Sequence, residues 1–178
     1  MKIALQDILA VATEIAYPEK VDELNATLGA GCNRDYEFPG AIDVKVSFYR
    51  VELDLFFDGS LRALASAACA RCLERFPLEV TNDFSVVLTP ETPLGGESEL
   101  GARDLTKSFY VGTEIDLTRL VYEQVLLALP TRPLCDEECR GLCPQCGMNR
   151  NGGQCSCTVK TGDPRLAVLR NLKIDRGA

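Results

Sequence analysis

The stretch Cys135-Asp-Glu-Glu-Cys139-Arg-Gly-Leu-Cys143-Pro-Gln-Cys146-Gly-Met-Asn-Arg-Asn-Gly-Gly-Gln-Cys155-Ser-Cys157 places six of the nine cysteines of the chain within 23 residues. It has no hydrophobic period from which to build a helix or strand. A short, loop-rich segment of this kind cannot bury enough apolar surface to offset its ordering entropy, so it needs an external fastener. The step Cys143-Pro-Gln-Cys146-Gly147 has the form of a zinc knuckle. Its first thiolate enters on an extended residue, the backbone turns, and the glycine lets the chain leave at positive φ.

Outward from this stretch, 178 residues with 46% hydrophobic and 25% charged content suit one globular domain with a small appendage. The expected division is a body over residues 1–131 and a Cys-rich, zinc-binding tail with a terminal helix over residues 132–178. No apolar run approaches the ~20 residues of a membrane span, and no secretory leader pattern opens the chain. The expected setting is therefore soluble and cytoplasmic. Thiols stay reduced there, which favours metal binding over a disulfide scaffold.

The net charge of −7 is uneven. Residues 1–131 carry 11 Lys/Arg against 21 Asp/Glu (−10), and residues 132–178 carry 8 against 5 (+3). A four-cysteine zinc site adds about −2, from four thiolates and one dication. Such an acidic body argues against non-specific nucleic-acid binding, which rests on neutralising phosphates, and suits a basic protein partner. The chain has no histidine, which removes His-based triads, His acid–base chemistry and His-containing metal sites.

Residues 1–37 read poorly: Ile3 and Leu5 suggest a short strand, and Cys32 stands alone as a small thiol. From Ile42 the period is two, through Val44, Val46 and Phe48, and the parity then switches to Val51, Leu53, Leu55 and Phe57. A bulge or turn around Tyr49-Arg50 would absorb the switch, and Asp58-Gly59 has hairpin-turn chemistry. Small residues from Leu61 to Ala68 suggest close approach by a neighbouring element. This strand ends in Cys69-Ala-Arg-Cys72-Leu73, and alternation resumes through Phe76, Leu78, Val80, Phe84, Val86 and Leu88.

Residues 89–107 read as a Pro/Gly/acidic loop, and Phe109 to Val111 as a further short strand. Asp116 caps a helix to about Leu129 with Leu117, Val121 and Val125 on one face, widened by Leu120 and Leu127, and Pro130 stops it. Asp163-Pro164 opens a final helix striped by Leu166, Leu169 and Leu172.

Without Cys32, eight cysteines form four pairs: Cys69/Cys72, Cys135/Cys139, Cys143/Cys146 and Cys155/Cys157. Zinc takes four soft ligands as two pairs from two loops, so the parity suggests two zinc ions per chain. Cys143/Cys146 with Cys155/Cys157 would close a small ribbon. Cys135/Cys139 would then reach across to Cys69/Cys72 and pin the tail to the sheet. Two other uses of these thiols stand beside this one. The Cys139-x3-Cys143-x2-Cys146 spacing is that of radical-generating iron–sulfur enzymes, which need a large α/β barrel. Cys69-x-x-Cys72 could be a redox pair, but it opens no βαβ helix and has no activating base nearby.

Several of these residues together resemble a bacterial and plastid family, the YceD-like or large ribosomal RNA subunit accumulation proteins. They are Cys69-Ala-Arg-Cys72-Leu73, Leu126-Leu-Ala-Leu-Pro130, the run from Cys135 through Cys146-Gly-Met-Asn149, and Asp163-Pro-Arg-Leu-Ala-Val-Leu169, spread over roughly residues 41–173. The family usually reads Asn-Leu-Asn where this chain has Asn149-Arg150-Asn151. The resemblance implies a role in accumulation of the large-subunit (23S) ribosomal RNA, hence ribosome biogenesis, and it brings no catalytic residues.

The expected architecture is α+β: an antiparallel sheet, barrel-like if it closes, with one core helix and a C-terminal zinc-ribbon-like segment. The expected function is a non-enzymatic factor with structural zinc, partnered with large-subunit precursor RNA or with a basic ribosomal protein. Arg132, Arg140, Arg150, Lys160 and Arg165, followed by Arg170 and Lys173, are the candidate contact residues. The rivals are a chaperone of a basic ribosomal protein and a thiol redox enzyme or switch.

Overall fold

The computed structural model describes residues 1–29, 35–91 and 107–157. The readings of Cys32, of the loop beyond residue 91 and of the helix after Asp163 fall outside these residues. Among these residues eight strands and two α-helices follow in order: β1 (Lys2–Ala4), β2 (Thr13–Glu19), α1 (Asp22–Gly29), β3 (Tyr36–Glu37), β4 (Ile42–Val51), β5 (Asp54–Ala68), β6 (Arg75–Pro90), β7 (Lys107–Tyr110), β8 (Glu114–Asp116) and α2 (Leu117–Ala128), with a single 3-10 turn at Leu5–Asp7.

The main sheet runs β2-β4-β5-β6-β7, with β3 beside β5, and β1 pairs β8 in a separate two-stranded ladder. Pairing is antiparallel except between β6 and β7, which run parallel. The path is open. Among the described residues β2 and β7 do not pair with each other, so the expectation of a barrel is corrected to an open sheet. The expectation of one core helix is also corrected, because α1, in the poorly legible stretch before Cys32, buries Leu24 in the same core.

The parity switch after Phe48 is absorbed by a turn, one of the two causes expected, but it lies at Glu52-Leu53 and not at Tyr49-Arg50. β4 and β5 form a tight hairpin whose turn is Glu52-Leu53, with Val51 opposite Asp54 and Glu52 at φ 55°. Even-numbered positions of β4 therefore face odd-numbered positions of β5, as in Phe48↔Phe57 and Val44↔Leu61. The chain runs straight through Asp58-Gly59, which makes no turn. A Cβ at Gly59 would lie 2.8 Å from the Lys45 carbonyl oxygen and 2.6 Å from the Phe84 ring, so this glycine permits close approach rather than reversal.

Ile42, Val44, Val46, Phe48, Leu55, Phe57, Leu61, Val80 and Phe84 line the buried face of the sheet. On it lies α2, which buries Leu117, Leu120, Val121 and Val125. Leu127, expected on that face, is 72% exposed, because it lies beyond the edge of the stripe. The Asp116 carboxylate accepts from the Thr118 and Arg119 N–H groups and caps the helix, as its sequence indicates. No described helix is long and apolar enough to cross a membrane.

Candidate metal centres

The tip of the β5–β6 hairpin is the Cys69–Cys72 step, beyond the last ladder pair Ala68↔Arg75. Its backbone closes on itself, with Cys69 N–H donating to the Glu74 carbonyl and Leu73 N–H to the Cys69 carbonyl, both at 2.9 Å. The tail repeats the motif: Gly147 N–H donates to the Cys143 carbonyl, also at 2.9 Å. The residue after each second cysteine is left-handed, Leu73 at φ 62° and Gly147 at φ 74°. The two knuckles thus share one backbone form, in which only the second has the residue best suited to it.

Eight thiols collect into two groups, Cys69/Cys72/Cys135/Cys139 (the proximal centre) and Cys143/Cys146/Cys155/Cys157 (the distal centre). Within each, all sulfur atoms lie within 4.8 Å of one another. Cys69 and Cys139 Sγ are 3.7 Å apart, as are Cys72 and Cys135 Sγ. A tetrahedron of sulfurs around zinc at ~2.3 Å has edges of ~3.8 Å, whereas a disulfide needs ~2.05 Å. The eight cysteines are free thiols, and the donor set fits a tetrahedral thiophilic ion. The grouping is the one that spacing suggested.

In the proximal centre Cys69, Cys72 and Cys139 are buried and pack with Phe76 and Leu134 as a small cluster apart from the main core. Four hydrogen bonds hold the tail against the hairpin tip. Ala70 N–H donates to the Pro133 carbonyl (2.8 Å), Leu142 N–H to the Arg71 carbonyl (3.1 Å), and the Arg71 guanidinium to the Glu137 and Cys139 carbonyls, both at 2.9 Å. Gly141 is required here: at φ 67°, its Cβ position lies 2.9 Å from the Arg71 carbonyl oxygen. In the distal centre Cys143 is buried, Cys155 and Cys157 half-buried, and Cys146 exposed.

Thiolate charge concentrates on the first cysteine of each knuckle. Burial pushes Cys69 up, but backbone N–H groups of Cys135, Cys72 and Arg71 outweigh it and lower the thiol to about 6. The N–H groups of Cys146 and Gln145 and the Cys155 thiol lower Cys143 to about 6. Desolvation and the thiols of Cys69, Cys139 and Cys72 push Cys135 up to about 12. Cys146 first, then desolvation, does the same to Cys157. A dication among such thiols is what would let all four ionise together.

Arg140 and Arg150 border a cavity with Cys143, Pro144, Cys155 and Cys157. Arg132 is exposed on the connector before the proximal centre. Lys160, Arg165, Arg170 and Lys173 lie outside the described residues. Sequence reasoning missed two residues that buttress the thiols. One is Arg71, whose signal was its place between two ligands. The other is Asn151, whose amide nitrogen lies 3.1 Å from Cys139 Sγ.

A family model described as large ribosomal RNA subunit accumulation protein YceD matches residues 57–173, a span that holds both centres. A chloroplastic protein of Arabidopsis thaliana, named homolog 1 of that accumulation protein, is 26% identical over 163 residues, covering 79% of this chain and 51% of its own length. Its Zea mays namesake is 29% identical over 147 residues, covering 68% and 49%. An uncharacterized protein of Mycobacterium tuberculosis is 30% identical over 111 residues, covering 60% and 50%. The chain spans about half the length of these curated relatives. No solved structure gives a significant match.

Proposed function

The chain belongs to the YceD family of large ribosomal RNA subunit accumulation proteins, and from that premise we propose that it is a non-enzymatic factor supporting accumulation of large-subunit ribosomal RNA. The observation that carries this reading is the family match itself, which runs through both thiol centres and the strands between them. We take the ions to be zinc, one per centre, with a structural role. Four thiolates saturate a tetrahedral ion and leave no position for substrate or water. Arg71, Gly141 and the Pro133 carbonyl would then serve to seat the proximal ion's loops. The setting is a reducing one: a cytoplasm, where thiols stay free to bind metal, or a plastid, as the names of the plant relatives suggest.

Removing the protein from its host and measuring the ratio of large- to small-subunit ribosomal RNA tests the reading. A fall in that ratio, restored by the wild-type chain but not by a Cys69→Ser/Cys72→Ser variant, is expected. An unchanged ratio sinks it.

The −10 charge of residues 1–131 favours a second form of the same role, in which the contact is a basic large-subunit ribosomal protein and RNA is affected through it. Gradient sedimentation distinguishes the two. Particle association abolished by ribonuclease and by Arg140→Ala/Arg150→Ala indicates RNA contact. Association with a ribosomal protein that survives ribonuclease indicates the protein route.

A further inference from the structure

We propose that Asn151 couples the two metal centres, so that an ion in the distal one tightens binding in the proximal one. This rests on the reading that both centres take a metal.

Asn151 lies in the distal ribbon, between Cys146 and Cys155, yet its side chain serves the proximal loop. Its Oδ1 accepts the Arg140 backbone N–H at 2.7 Å, and its Nδ2 lies 3.1 Å from Cys139 Sγ. The orientation of the amide follows from chemistry. A backbone N–H can only donate, so the oxygen must face Arg140 and the NH2 group must face the sulfur. One side chain thus clamps two consecutive residues of the proximal loop, and one of its two contacts goes to a metal-binding thiol.

The position of Asn151 depends on the distal ribbon. Its own N–H donates to Asn149 Oδ1 (2.9 Å), Asn149 bridges Leu142, and Cys143 N–H donates to the Met148 carbonyl (2.8 Å). The exposed run Gly152–Gln154 leads from Asn151 into Cys155. Little apolar burial orders this ribbon, so the distal ion supplies its main fastener. Filling that centre fixes Asn151, and the proximal centre then meets an N–H donor already aimed at Cys139. A hydrogen bond to a thiolate favours its charged, ligating form. Linkage makes the effect reciprocal: an ion in the proximal centre tightens the distal one by the same factor.

The test measures proximal zinc affinity by chelator competition, with metal stoichiometry from native mass spectrometry. It compares wild type, Asn151→Asp, Cys155→Ser/Cys157→Ser and the combined variant. Asn151→Asp keeps the acceptor for Arg140 and replaces the donor with a carboxylate. The expected result is two ions in wild type, with proximal affinity falling roughly 10- to 100-fold in Asn151→Asp. A similar fall is expected when the distal thiols are removed, with no further fall in the combined variant. Two ions with unchanged proximal affinity in Asn151→Asp, or full additivity of the two changes, overturns the coupling alone. Fewer than two ions in wild type overturns the metal reading and the coupling with it. A measurement on the wild type stands even if a variant misfolds: with cadmium-113 in both centres, an Asn151 side-chain amide proton should show scalar coupling to the proximal cadmium. Absence of that coupling counts against the proposal.

Discussion

Leu73 and Gly147 occupy equivalent places in two knuckles, and only one is suited to its backbone. Leu73 is 66% exposed, so replacing it with glycine forfeits little burial and relieves a left-handed side chain. The opposing term is the larger freedom of glycine in the unfolded chain. Leu73→Gly is expected to stabilise the metal-loaded protein by up to about 1 kcal/mol in urea unfolding. Gly147→Ala should lose about 1 kcal/mol, and Gly141→Ala more than that, because only Gly141 also faces a backbone oxygen, that of Arg71. A Gly141→Ala protein as stable as Gly147→Ala would contradict the close approach. Tyr17 makes a pH-dependent case. Burial, with Glu19 and then Asp116 adding to it, pushes its hydroxyl up to about 12, and that hydroxyl has no hydrogen-bond partner among the described residues. The folded chain therefore holds this proton more tightly than the unfolded chain, whose value is 10.0. Its contribution is intact below pH 10 and is lost as pH rises towards about 12. Tyr17→Phe should melt no lower at neutral pH and lose less stability across that alkaline window. The glycine after Cys146 was legible in the sequence; the matching strain at Leu73 was not, because a leucine carries no turn signal.

At the scale of elements, periodicity identified β4, β6 and α2 correctly because each has one buried face and one wet one. Between Phe48 and Leu61 it left a bulge and a turn both open, and placed them at Tyr49-Arg50, because a tight hairpin and a bulge produce the same parity switch. Asp58-Gly59 imitated a turn because glycine serves two unrelated needs, positive φ and lack of a Cβ, and here only the second applies. Gly59→Ala should therefore destabilise the sheet by roughly 1–3 kcal/mol through overpacking against Phe84 and the Lys45 carbonyl. A glycine placed only for turn geometry would not interfere with β6. Thermal melts of Gly59→Ala, with and without a smaller residue at position 84, distinguish the two, since partial rescue by the smaller residue is expected only from overpacking. The short elements α1 and β3 escaped notice because neither is long enough to show a period. Asn25 ties them together: its side chain accepts from Phe38 N–H and donates to the Phe38 carbonyl, at 2.9 and 2.8 Å.

At the scale of the molecule, two clusters among the described residues divide the work of folding: a main core of aliphatic and aromatic side chains, and the proximal thiols with Phe76 and Leu134. Metal removal should therefore release residues 132–157 while leaving the sheet folded. In hydrogen exchange, Cys143, Gly147 and Arg150 should lose protection while β4 and β5 keep theirs. Loss of protection in both regions together would mean that the sheet also depends on the ions. Acidification acts in the same direction. Cys135 and Cys157, at about 12, hold protons at pH 7 that a metal must displace, while Cys69 and Cys143, at about 6, are already thiolates. Loading should release at least one proton per centre, measurable by calorimetry in buffers of differing ionisation enthalpy. Affinity should fall as pH falls, most steeply where Cys69 and Cys143 reprotonate. The pairing of the thiols could be read from spacing, but the brace that joins the centres could not: the Asn149-Arg150-Asn151 step stood out in the sequence, yet nothing in a separation of 12 residues aims an asparagine at Cys139. The proximal contacts also span 63 and 70 residues of chain, whereas the distal four fit within 15, Cys143 to Cys157. Short loops close sooner than long ones, so during refolding the ribbon should capture its ion first. Cys69 and Cys72, though made earlier on a growing chain, would wait with open thiols until the hairpin and α2 deliver their partners, and that interval is when a mismatched set of four is most easily trapped.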